Sequence, residues 1–142
     1  AAGGKDPKII ANLVEETLRT ETPTAGMWRL VTRDTELGGV HLPKGSMLHL
    51  RYAAANRDPA KYHDPDKFDI GRDNARTHLA FGKGIHMCVG NMLSRKEVTV
   101  AFDELLSRLT NFEVADEAAI TIPPNMLLRG IIKLPIRFRK IA

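Results

Sequence analysis

Apolar positions recur at helical spacing near the start of the chain. Ile9, Ile10, Leu13, Val14 and Leu18 fall on one stripe, and Asp6 with Pro7 supplies an N-cap and a first-turn proline. The spacing predicts an amphipathic helix over residues 6–20, stopped by Thr22-Pro23-Thr24. Trp28, Leu30, Val31 and Thr32 then favour a strand over residues 27–33. Gly38-Gly39 and Pro43-Lys44-Gly45 punctuate the next stretch, predicting a hairpin over residues 35–42 and a strand over residues 47–51. A short helical turn is expected at residues 53–56.

From Arg57 to His78 the pattern is polar and without period, broken by Pro59, Pro65 and Gly71, so a long irregular connection is expected. Stretches of this kind inside a compact domain are usually functional or disordered. The glycine-rich residues 79–90 lead directly into a second amphipathic helix over residues 89–109, marked by Val89, Leu93, Val100, Phe102, Leu105, Leu106 and Leu109. Strand-like pieces at 112–114 and 131–138 flank a Pro123-Pro124-Asn125 turn. The pattern is that of a mixed α and β chain, mainly α, without internal repeats.

Composition narrows the class. At 142 residues, 43% hydrophobic and 27% charged, the chain suits one globular domain. Its formal charge of +4 comes from scattered Lys and Arg, and aromatic residues make up only 6%, which argues against a nucleic-acid partner. The single cysteine rules out an internal disulfide and fits a reducing compartment. Ala1-Ala2-Gly3-Gly4-Lys5-Asp6 carries no apolar signal region and no run of about 18 apolar residues occurs, so the expectation is a cytoplasmic chain with no membrane partner.

Chemistry concentrates in Phe81-Gly82-Lys83-Gly84-Ile85-His86-Met87-Cys88-Val89-Gly90. A thiol at the start of a helix meets unpaired backbone N–H groups and the positive end of the helix dipole, which favour thiolate. Such a sulfur serves as nucleophile, redox sensor or metal ligand. Gly82, Gly84 and Gly90 permit close backbone approach to a flat ligand, and Gly90 lets the N–H groups after Cys88 turn toward the sulfur. Taken singly, Cys88 is inert packing, His86 a surface histidine and Phe81 core; their ordered spacing is the signal. A nucleophilic cysteine also needs a base, and nothing in the sequence selects one among His41, His49, His63 and His78.

Phe81, Gly84, His86, Cys88 and Gly90 together resemble the haem-binding signature of the cytochrome P450 family, the haem-thiolate monooxygenases. Glu16-Thr17-Leu18-Arg19 resembles that family's Glu-x-x-Arg pair, which on its own reads as an ordinary helix-face salt bridge. Phe68-Asp69-Ile70-Gly71-Arg72 resembles the element that completes it, implying a buried triad of Glu16, Arg19 and Arg72. Ala55-Asn56-Arg57-Asp58-Pro59 and Gly130-Ile131-Ile132-Lys133-Leu134-Pro135 resemble further family segments, in their expected order.

The resemblance covers essentially the whole chain. It implies the C-terminal part of the P450 fold as a single partial domain over residues 1–142, without the N-terminal portion and the distal oxygen-activating helix. Haem b is the implied cofactor, with Cys88 as its proximal thiolate, catalytic and iron-ligating. Arg29, Phe81, Gly82, Gly84, His86 and Gly90 are implied around it, Arg29 and His86 toward the propionates. Thr24, Ala25, Gly26 and Met27, with the turn from Met126 through Leu127 to Leu128, are implied as contacts to a small apolar substrate. The implied partners are a ferredoxin or flavodoxin and the remainder of the P450 chain, and Lys83, Arg72, Arg95 and Lys96 offer a basic docking patch. The implied activity is insertion of one oxygen atom from O2 into that substrate. The alternatives are a truncated, non-enzymatic haem-binding or haem-sensing module and an interaction fragment without haem.

Overall fold

The computed structural model describes residues 7–141. Helix α1 (Pro7–Glu21) follows the expected stripe, and the expected N-cap Asp6 lies outside the described residues. The helix stops where Thr22 takes a left-handed φ of 41°, its hydroxyl donating to the Arg19 carbonyl at 2.8 Å, and Pro23 prevents continuation. Strands β1 (Met27–Leu30) and β4 (Met47–Leu50) pair antiparallel and bracket the hairpin of β2 (Thr35–Leu37) and β3 (Val40–Leu42). The hairpin turns through Gly38 and Gly39, both at positive φ, as the glycine pair requires. A one-turn helix α2 (Tyr52–Ala55) comes next.

The connection from residue 57 onward is irregular, as its composition predicts, apart from short 3-10 turns at Ala75–Thr77 and Gly84–His86. Helix α3 (Asn91–Arg108) then packs against α1, and β5 (Leu109–Val114) pairs antiparallel with β6 (Ile136–Lys140). The last strand is shorter than the sequence suggests. Pro135 has no N–H for a ladder, so residues 131–135 form only an isolated bridge between Thr121 and Lys133, and regular pairing begins after the proline.

The core lies between α1 and the irregular connection, and it is largely polar. Ile10 and Val14 are buried as expected, but the fully buried large side chains also include Glu16, Arg19, Tyr62, Asn56 and Thr22. The buried face of α1 has rotated from the apolar stripe toward its charged residues; Ile9 is exposed, and Leu13 and Leu18 are half-buried. Helix α3 differs from expectation in another way: none of its residues is buried, and Met92, Leu93, Val98, Val100 and Leu105 are exposed. Its apolar residues are spread around the helix rather than gathered on one face, the composition of a helix that would be covered on several sides.

Candidate functional site

Glu16 and Arg19 stand three residues apart on α1, and both side chains are fully buried. Arg19 donates from Nε to Glu16 Oε2 and from Nη2 to Oε1, each at 2.8 Å. Arg72 donates from Nε to Glu16 Oε1 at 3.1 Å, and the Asp69 backbone N–H donates to the same oxygen at 2.9 Å. The predicted triad is therefore assembled, with the Tyr62 ring 5.1 Å from the Arg19 guanidinium. Burial alone would raise the Glu16 carboxyl; the bonds from Arg19, Asp69 and Arg72 outweigh it and hold its pKa below the usual carboxylate range. The Arg19 pKa is raised, above all by its bond to Glu16.

The two guanidinium groups also account for the irregular connection. Arg19 donates to the carbonyls of Asn56 at 2.8 Å, Pro65 at 2.7 Å and Lys67 at 3.2 Å. Arg72 donates to those of His63 at 2.7 Å, Asp64 at 3.1 Å and Lys67 at 3.1 Å. Carbonyls that a sheet or helix would pair are paired here by fixed planar donors, so the stretch is ordered without regular structure. Asn56 extends the lattice: its Nδ2 donates to Thr22 Oγ1 at 2.9 Å and its Oδ1 accepts from the Leu79 N–H at 2.7 Å.

That lattice delivers the chain to the cysteine loop. Gly82 N–H donates to the Leu79 carbonyl at 2.8 Å, and Cys88 N–H to the Phe81 carbonyl at 2.9 Å, closing residues 81–88 into a compact loop. Gly82 and Gly84 sit at φ of 69° and 76°, conformations that L side chains rarely adopt. Gly90 does not share this need: it lies at φ −82° as the residue capping α3, and a Cβ there would stand 3.9 Å from Cys88 Sγ, an ordinary contact. Cys88 is an exposed free thiol two residues before that cap.

Cys88 borders an open cavity of about 420 Å³ walled by Leu18, Pro23, Thr24, Met27, Arg29, Tyr52, Ala80, Phe81, Gly82 and His86. Cys88, Arg29, His86, Phe81 and Gly82 thus line one cavity, whereas Gly84 and Gly90 do not line it. The substrate-contact candidates divide. Thr24 and Met27 face the cavity, but Ala25 is buried, its N–H donating to the Leu127 carbonyl at 2.7 Å. Gly26 is closed off as well, since a Cβ there would fall 2.5 Å from the Leu50 carbonyl oxygen. Leu127 and Leu128 serve this pairing, Leu128 bridging Thr24, and neither lines the cavity.

The expected basic patch is also corrected. Arg72 is buried in the triad, and Arg95 is held by Glu15, to which it donates at 2.6 Å from Nε and 3.2 Å from Nη2. Only Lys83 and Lys96 of the four are exposed. The Glu15 cluster itself has no local sequence signal: its partners His78, at 3.0 Å, and Arg95 lie 63 and 80 residues away. Burial raises the Glu15 carboxyl, and the bonds from His78 and Arg95 overcome it, holding its pKa at about 2.

The donor set fits haem. Among the described residues no group of three His, Cys, Asp or Glu side chains gathers to hold a metal ion, so Cys88 is a lone soft donor. It stands beside a mainly apolar wall carrying two groups, Arg29 and His86, able to bind carboxylates. One thiol, a mainly apolar wall and two such groups are compatible with an apolar macrocycle that brings its own metal, its own nitrogen ligands and acidic side arms. No helix among the described residues is long and apolar enough to cross a membrane.

A family model described as Cytochrome P450 matches residues 8–138. The steroid C26-monooxygenase of Mycobacterium tuberculosis is 37% identical over 135 residues, covering 94% of this chain and 36% of that protein. The 6-deoxyerythronolide B hydroxylase of Saccharopolyspora erythraea is 40% identical over 134 residues, covering 94% and 33%. Among solved structures, a cytochrome P450 from Chondromyces apiculatus superposes with a TM-score of 0.90 at 36% identity, over 99% of this chain and 36% of that one. The chain spans about a third of the length of the curated relatives it matches.

Proposed function

The chain belongs to the cytochrome P450 family, and on that premise we propose that it is the proximal, haem-holding portion of a haem-thiolate monooxygenase that inserts one oxygen atom from O2 into a small apolar substrate. The observation that carries the reading is the position of Cys88 on the cavity that Arg29, His86 and Phe81 also line. In this reading Cys88 ligates the iron of haem b, Arg29 and His86 bind its propionates, and Phe81 with Leu18 supplies apolar packing. When bound, haem supplies dioxygen activation, which electron donation from a thiolate ligand favours.

The remaining residues hold that arrangement. Glu16, Arg19 and Arg72 fix the irregular connection, and Gly82 and Gly84 allow the loop to fold back so that Cys88 N–H reaches the Phe81 carbonyl. Thr24 and Met27 are the residues of this chain that would border the substrate, and their limited number agrees with a pocket completed by the rest of a longer protein. The exposed apolar residues of α3 support the same view, since a P450 chain of full length would cover them. Electrons would come from a ferredoxin or flavodoxin in the cytoplasm, with Lys83 as the exposed cation of the cysteine loop available to an acidic partner.

The test is to supply the full-length haem-loaded protein with electrons, isotopically labelled dioxygen and a panel of apolar substrates. One labelled oxygen atom per product, lost with Cys88→Ser, is the expected result. Haem binding without any oxygenated product across the panel counts against it.

A further inference from the structure

Helix α3 begins just after Cys88, and its first two turns carry Asn91 and Arg95 on the side facing the loop. Arg95 is nearly buried and uses its guanidinium in three directions at once. Nε and Nη2 grip the Glu15 carboxylate on α1 at 2.6 and 3.2 Å. Nη1 donates to Asn91 Oδ1 at 2.8 Å, and the face of the group lies 4.7 Å from the centre of the Phe81 ring. Asn91 in turn donates from Nδ2 to the Cys88 carbonyl at 2.7 Å.

The loop is thus held at both ends by one side chain. Phe81 is touched directly, Cys88 through Asn91, and the two ends are joined by the Cys88 N–H to Phe81 carbonyl bond of 2.9 Å. The anchor is rigid, because Glu15 is itself fixed by His78, whose other ring nitrogen accepts the Ala80 N–H at 3.1 Å. A surface ion pair would do none of this, and a lysine could meet only one of the three demands, since only the planar fork bonds a carboxylate bidentately while stacking on an aromatic face.

We propose that Arg95 is a positioning residue for the Cys88 sulfur, clamping the cysteine loop onto α1 through Glu15 and setting the backbone from which the thiol projects. The role rests on the reading of Cys88 as the haem ligand. Loosening the clamp leaves the sulfur in place in sequence but free to leave the iron, so thiolate ligation is lost before the fold is.

The experiment compares full-length wild type with Arg95→Leu, Arg95→Lys and Asn91→Ala, the last cutting only the link from Arg95 to Cys88. Two readouts are taken: amide hydrogen exchange at Cys88 in the haem-free protein, and the share of the reduced, carbon monoxide-bound haem in the thiolate-ligated form. Arg57→Leu, which removes an ion pair with Asp66 and a hydrogen bond to the Thr20 carbonyl, neither of them with a residue of the cysteine loop, is the control for general loss of stability. Exchange at Cys88 on the order of tenfold faster in all three variants, with part of the haem converted to the non-thiolate form and Arg57→Leu unchanged in both, is the expected result. Wild-type exchange and wild-type ligation in Asn91→Ala and Arg95→Lys overturn the proposal and leave Arg95 an ordinary structural ion pair. Were wild type to show no thiolate form, the monooxygenase reading would fail separately, while the exchange rates would still decide whether the clamp exists.

Discussion

Glu16 and Arg19 form a two-point ion pair at 2.8 Å within a single helix, and neither side chain reaches solvent. Two charges withdrawn from water in this way are stabilising only when every remaining donor and acceptor is used. Here Glu16 also accepts from Asp69 and Arg72, and Arg19 donates to three carbonyls of the irregular connection. The pair is therefore the organising centre of a stretch that has almost no regular structure of its own.

Removing one partner should be severe. Arg19→Ala takes the two-point partner from the buried Glu16 carboxylate, leaving it only Arg72 and the Asp69 N–H, and removes the donor from the Asn56 and Pro65 carbonyls; it is expected to destabilise by at least about 3 kcal/mol. Arg19→Lys keeps the charge but loses the fork, and should recover less than half of that loss. Urea denaturation of the variants against wild type measures both.

Acid sensitivity arises at Glu15. Its carboxyl is depressed from 4.5 to about 2 in the folded chain, so the stability it contributes is complete above about pH 5 and is lost as pH falls toward 2. The contribution at neutral pH is on the order of 3 kcal/mol. Glu15→Gln should lower stability at pH 7 and flatten the decline between about pH 5 and 2, although Glu16, whose pKa is also lowered, leaves part of the slope. Denaturant midpoints across that range check the prediction; an unchanged slope contradicts it.

The glycines of the cysteine loop should not be equivalent. Gly82→Ala places a side chain at φ 69° with no atom nearer than 3.7 Å, so its cost is backbone strain of about 1–2 kcal/mol. Gly90→Ala meets neither strain nor clash and should leave the stability of the haem-free protein within about 0.5 kcal/mol of wild type. Gly26→Ala should cost more than either, because its Cβ would collide with the Leu50 carbonyl and split β1 from β4. Thermal denaturation of the three variants ranks them.

Arg29 and His86 border the cavity from different elements, one on β1 and the other inside the cysteine loop. If each binds one haem carboxylate, Arg29→Ala and His86→Ala should each speed haem loss about tenfold or more, and the double variant roughly multiplicatively. Transfer of haem to an excess of an apo-globin acceptor reports the rate. Equal loss rates in wild type and variants would remove both residues from the haem site.

The legible parts of the chain were those set by local chemistry. Gly38-Gly39 fixed its hairpin, Pro23 its helix end, and the spacing from Phe81 to Gly90 its loop, because each acts within a few residues. What periodicity could not reveal was the inward face of α1, where Glu15, Glu16 and Arg19 are buried in place of Ile9. Charged residues go inside only when partners far along the chain meet them, and Arg72, His78 and Arg95 are 56 to 80 residues from theirs. The same long-range pairing removed Arg72 and Arg95 from the expected docking patch. A resemblance names the segment from Thr24 to Met27 as a whole, and only the fold separates Thr24 and Met27, on the cavity, from Ala25 and Gly26, closed off by the Leu127 and Leu50 carbonyls.

Thiolate ligation by Cys88 is read from the absorbance difference spectrum of the dithionite-reduced, haem-loaded full-length protein with and without carbon monoxide, measured alongside Cys88→Ser. Wild type should show a strongly red-shifted Soret band that vanishes in the serine variant. A wild-type spectrum without that band, or a band that survives in Cys88→Ser, would rule out Cys88 as the thiolate ligand.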